Sequence, residues 1–127
     1  MYYVAETNKT FDQAALDLES AIKRHSFVIL HVHDLGFTLR SKGIAFDEQC
    51  RIFAMCNPGR TAKALSFDMR LNMVLPCRIS VFTDAGKKKI GFPKPVEILS
   101  AFSQNVLMLQ VAKEVEETSI KIIDEAK

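Results

Sequence analysis

The sequence predicts an α+β fold: a two-layer sandwich in which one mainly antiparallel sheet carries its helices largely on one face, closed by a long C-terminal helix. Three features of the 127 residues point there. β-rich runs arrive singly or as a hairpin. Apolar residues at helical spacings of three and four separate those runs. The connections between them are long enough to cross over a sheet.

Residues 2–6 alternate weakly and read as a first strand. Thr10, Phe11, Asp12 and Gln13 form a capping box, in which the threonine hydroxyl and the glutamine amide can serve orphan amides at a helix start. Phe11, Ala14, Ala15, Leu18, Ala21 and Ile22 then share one helical face, so the first helix is expected over about 11–25. The β-rich run 27–33 predicts a second strand, ended by Asp34, Leu35 and Gly36. Residues 37–42 predict a short helical turn closed by Gly43. A third strand is expected over about 48–56.

Asn57 is a good N-cap, and Pro58 suits the first helical position because its missing N–H would be an orphan anyway. That helix is expected to reach about Phe67. Residues 75–83 predict a strand, Asp84-Ala85-Gly86 turns it, and 89–93 returns it as a hairpin. Pro95 opens a helix through Phe102. Ser103 is expected to cap the last helix, about 104–126, with a stripe of Leu107, Val111, Val115, Thr118 and Ile122. At 1.5 Å per residue that helix would be ~34 Å long, about the width of the whole domain. It is expected to lie across a broad sheet or to meet a partner.

Composition narrows the class. At 48% hydrophobic and 25% charged, residues 1–127 suit a single domain with a core that needs no staples. A formal charge of +2 offers no electrostatic footprint for nucleic acid or a membrane surface. Lys87, Lys88 and Lys89 follow a turn and read as solvated lysines rather than a phosphate patch. No run approaches the ~18 apolar residues of a membrane helix, and the N-terminus carries no basic-then-apolar leader. Three cysteines cannot all pair within one chain. The expectation is a cytoplasmic protein with free thiols, no nucleic-acid partner and no membrane partner.

Several stretches, in order, resemble the DUF302 family, whose name marks a domain of unknown function. They are Tyr2-Tyr3-Val4, His33-Asp34-Leu35, Cys56-Asn57-Pro58, Leu75-Pro76-Cys77-Arg78 and Ile122-Ile123-Asp124-Glu125-Ala126. The resemblance spans nearly the whole chain. It implies a compact α+β fold and homodimerisation, and it implies no activity.

The candidate chemistry gathers at one junction. Cys56 precedes a helix start, where free amides and the helix dipole favour an anion and would lower a thiol's pKa. The bland alternative is a small buried residue finishing a strand. Cys77 shares a strand face with Leu75, Ile79 and Val81, which makes core its default; Arg78 points the other way, beside Ser80. There its guanidinium could clamp a carboxylate or phosphate, or simply reach water. Two thiols near a helix start could bind a soft metal or cycle to a disulfide, but no Cys-x-x-Cys supports structural zinc.

His31 and His33 lie two apart, on a strand face expected to include Phe27 and Ile29, with Val28, Leu30 and Val32 turned to the helices. The histidines could hold a metal if a third ligand, such as Asp34, joined them, or could merely dress a half-exposed sheet. Cys50 is too far along its strand to share a site with Cys56. No Walker loop, dinucleotide fingerprint, Gly-x-Ser-x-Gly or His-Glu-x-x-His occurs.

The functional expectation is a homodimeric module binding a small anionic or thiol-bearing ligand at the strand-to-helix junction, through Cys56, Asn57, Pro58, Cys77 and Arg78. The alternatives are a thiol enzyme or sulfur-handling protein using Cys56 and Cys77, and a soft-metal protein using His31, His33 or the cysteines. No cofactor follows from the residues.

Overall fold

The computed structural model describes residues 1–127. Its elements run β1 (Tyr2–Thr7), α1 (Phe11–Arg24), β2 (Val28–Asp34), α2 (Leu35–Ser41), β3 (Cys50–Cys56), α3 (Pro58–Phe67), a 3-10 turn (Met69–Met73), β4 (Cys77–Asp84), β5 (Lys87–Pro93), α4 (Pro95–Ser100) and α5 (Val106–Ala126). The strands form one sheet in the order β1-β5-β4-β3-β2, antiparallel throughout. This is the expected α+β architecture, with a long last helix.

Local chemistry explains the boundaries. Thr10 caps α1, its hydroxyl accepting from the Gln13 amide at 3.1 Å. The Gln13 side chain turns instead to Asp17, at 2.8 Å, so only half of the capping box forms. Ala85 and Gly86 both take positive φ, 50° and 83°, in a two-residue loop whose backbone matches the right-handed twist of β4 and β5. The last helix is capped by Asn105, not Ser103: its Oδ1 accepts from the amides of Leu107 and Met108. Ser103 instead accepts from the Asn105 amide and steadies the cap.

The core lies between the sheet and the helices α1 and α5. Leu18, Ala21 and Ile22 of α1 and Ile122 and Ile123 of α5 close over Phe53, Met55, Ile79, Val81 and Ile90 of the central strands, all buried. Each large aliphatic side chain enclosed this way contributes roughly 1.5–3 kcal/mol. A second, smaller cluster joins Ala64, Leu71, Leu99, Met108 and Ala112. Helix α5 therefore serves two cores, the sheet with its C-terminal half and α3, α4 and the 3-10 turn with its N-terminal half. That double duty accounts for its length without a partner. The buried stripe runs through Met108, Val111, Ala112, Ser119, Ile122, Ile123 and Ala126, while Leu107 from the expected stripe stands exposed.

The chain ends are tied together. The Tyr3 hydroxyl donates to Asp124, and Lys9 donates both to Asp17 and to the Ala126 carbonyl. Gly91 lets β1 approach β5: a Cβ there would sit 2.8 Å from Val4 Cγ2 and 3.0 Å from the Tyr3 carbonyl oxygen.

One expectation fails in β2. The register against β3 shifts between Ile29 and His31, leaving Leu30 as a bulge. The bulge reverses alternation. Ile29 opposes Met55 on the core face, whereas His31 and His33 oppose Ala54 and Ile52 on the other face. The histidines thus lie on the open face, as expected, but Phe27 and Ile29 belong to the core side. Val28 and Leu30 are exposed rather than covered by helices.

Candidate functional site

Strand alternation sorts the central strands cleanly. On β4, Ile79 and Val81 are buried in the core, so Arg78 and Ser80 face the bare side of the sheet. Arg78 opposes Ala54 on β3, and Ser80 opposes Ile52. Beyond Ala54 and Ile52 stand His31 and His33 on β2. A methyl side chain beside the guanidinium leaves room, and the segment Met73–Pro76 with Ile98 forms a wall. The result is an open groove of about 510 Å³ lined by His31, His33, Ile52, Ala54, Met73, Val74, Leu75, Pro76, Arg78, Pro93 and Ile98. Ligand pockets commonly span ~300–1,000 Å³.

The electrostatics of this groove have one sign. No aspartate or glutamate lines it. Arg24, Arg51, Arg60 and Arg70 each pair with a carboxylate, and Arg40 donates to the carbonyls of Phe46 and Glu48. Of the six arginines in the sequence, Arg78 is the one with neither ion pair nor hydrogen bond. The rings of His31 and His33 stand edge-on with centroids 6.0 Å apart, and His33 Nε2 lies 3.2 Å from Thr38 Oγ1. Asp34, the expected third ligand, turns away. It caps α2 by accepting from the Phe37 amide and lies 3.7 Å from Arg51 on the helix side. No group of three or more metal-ligating side chains is gathered anywhere in the chain.

The cysteine junction is a different place. Asn57 caps α3: its Oδ1 accepts from the Arg60 amide at 3.1 Å, and its carbonyl accepts from Thr61 at 2.9 Å. Pro58 occupies the first turn and has no N–H to offer. The helix start thus serves much of its own hydrogen-bonding demand. Cys56 and Cys77 do line one cavity, together with Phe27, Asn57, Leu75, Leu99, Val111 and Val115. It measures about 20 Å³, room for roughly one water and no metabolite. Burial, with the neighbouring Cys56 thiol adding to it, pushes the Cys77 thiol up to about 11.

The residues expected to act together are therefore divided. Cys56, Asn57 and Cys77 border the small inner cavity and Arg78 lies in the groove outside; only Cys77 and Arg78 share a further hollow, of about 50 Å³, and Pro58 borders none of the three. The physical reason is the pleat: neighbours along β4 must face opposite sides. Cys56 also borders a shallow outer depression of about 180 Å³ with Leu30, Thr61, Leu65, Asn72, Leu75 and Pro76. Sequence reasoning missed the wall formed by Met73–Pro76 and Ile98. The available signal was a pair of apolar residues, Leu71 and Val74, left over between a helix and a strand.

Several stretches that resembled a known family have structural work. Tyr3 holds Asp124, Asp34 caps α2 and Asn57 caps α3, whereas Arg78 is left without a partner. The family model described as "Domain of unknown function DUF302" matches residues 3–126. The fold is shared with the crystal structure of an uncharacterized conserved DUF302 protein from Bacillus stearothermophilus, at a TM-score of 0.93 and 24% identity, covering 99% of this chain and 98% of that one. No curated protein matches the chain. With the model spanning nearly every residue and the fold agreeing, the chain belongs to the DUF302 family.

Proposed function

We propose that this protein is a cytoplasmic homodimeric module that binds a small anion in the open-face groove, with Arg78 as the anchoring cation and His31 and His33 as further donors. One observation carries the reading: the only unpartnered arginine of the chain lies in a groove of about 510 Å³ that contains no carboxylate. A guanidinium presents a fork that matches two oxygens of a carboxylate or phosphate, and imidazole can donate an N–H in either protonation state. The inner cavity at Cys56 and Asn57 offers room for about one water, which favours the groove over the junction.

What supports pairing is apolar surface left bare at both sheet edges, Tyr2 and Val4 on β1 and Val28 and Val32 on β2. Helix α5 is spent within the chain and does not supply it. No helix is long and apolar enough to cross a membrane.

A second reading, thiol chemistry, has one observation behind it: Cys56 and Cys77 border a common cavity. Cys77 is neutral near pH 7, because its folded value of about 11 lies above the ordinary 9.0. With a disulfide-bearing partner, Cys56 would attack one sulfur and release the other as a thiol, and Cys77 would then displace the bound sulfur as a second thiol, leaving a Cys56–Cys77 disulfide.

Three outcomes are expected. Calorimetry with inorganic phosphate at low salt gives saturable binding, weakened tenfold or more by Arg78→Gln, consistent with about 1.5–3 kcal/mol for a charged hydrogen bond. Equal binding by both proteins contradicts the anion site. Light scattering gives a mass near twice the 14.3 kDa of one chain; a monomer at micromolar concentration rejects pairing and leaves the groove untouched. The raised Cys77 value stabilises the fold fully below pH 9.0, and that contribution is lost as pH rises through about 11. Urea unfolding between pH 9 and 11 should therefore show Cys77→Ala losing less stability with pH than the parent, by up to about 2 kcal/mol. Parallel curves would refute the shifted thiol.

A further inference from the structure

We infer that the ligand of the open-face groove is an amphipathic oxyanion, a carboxylate or phosphate head on a linear apolar body; this rests on the anion reading above. The head is set by Arg78. The body follows from what surrounds it. Opposite the arginine the groove is apolar: Met73, Leu75, Pro76 and Ile98, with Met73 67% exposed and free of any covering element. The groove also does not end there. Leu75 and Pro76 border both it and the outer depression of about 180 Å³, so the two hollows adjoin across that segment and together make a mostly apolar trough from Arg78 past Leu75 to Leu30, Leu65 and Cys56, with Thr61 and Asn72 as the polar residues of its far end. Leu30 is 54% exposed, because the bulge in β2 turns it out of the ladder. Cationic at one end and apolar along its length, the trough is complementary to a molecule with the same polarity of ends.

A compact anion such as inorganic phosphate would use only the arginine end. A molecule with an apolar body would gain about fourfold in affinity per methylene that leaves water for the trough. It would also lie over Cys56, which gives the arrangement a chemical readout independent of affinity.

The test is a series of straight-chain carboxylates from acetate to decanoate, each below its micelle concentration, with 1-octanol as the uncharged control. Affinity is expected to rise steadily with chain length, by about 250-fold between butyrate and octanoate, four methylenes apart. Arg78→Gln should weaken every member. Met73→Gln and Leu65→Gln should weaken decanoate and leave acetate unchanged. Decanoate, but not acetate, should slow iodoacetamide alkylation of Cys56, read residue by residue by mass spectrometry. Acetate and phosphate that bind through Arg78, with no gain on lengthening, overturn the apolar body and leave the anion site standing. Octanol binding as tightly as octanoate, or no response to any anion, overturns the anion reading itself. If Leu65→Gln fails to fold, Met73→Gln and the alkylation pattern still decide.

Discussion

The pleat of the central strands is the constraint on which the rest of this molecule depends. Helices cover one face of the sheet, so every second residue of β3 and β4 goes to the core and the residues between them do not. Cys77 and Arg78 are adjacent in sequence and end up in opposite environments: one thiol raised by burial, one guanidinium exposed without a partner. A one-residue slip of register would drive the arginine into a layer packed with Leu18, Ile22 and Ile122. Register and site are thus enforced by the same hydrophobic burial.

The second determinant is the bulge at Leu30. Without it, regular alternation from the core residues Phe27 and Ile29 would carry His31 and His33 to the helix side. With it, both imidazoles join Arg78 on the open face, and Leu30 turns outward to border the outer depression. Asp34 returns to the helix side, beside Arg51, leaving the open face free of its charge. One extra residue in an edge strand therefore determines both the charge and the apolar reach of the groove.

Much of the fold was legible because its signals are local. Asn57 before Pro58 marked α3, the periodic alanines and leucine marked α1, and Ala85-Gly86 marked the hairpin. The bulge was not legible, since every residue around Leu30 suits a strand equally well and only pairing with β3 reveals the extra one. The cap of α5 was misplaced by two residues because serine and asparagine are both good N-caps. Of the candidate site, the outward direction of Arg78 followed from alternation. Its lack of a partner did not, because pairing by Arg51 with Asp12 or Arg60 with Glu114 is decided by tertiary approach. For the same reason spacing alone could not show that the cysteine cavity has room for only about one water.

The most direct measurement is a titration of the isotopically labelled protein with inorganic phosphate, followed by backbone amide NMR. Shifted resonances are expected to map to β2, β3 and β4 around His31, His33, Ile52, Ala54 and Arg78. Shifts centred on Asn57, Gly59 and Arg60, with Arg78 unmoved, would place the anion at the helix start and contradict it.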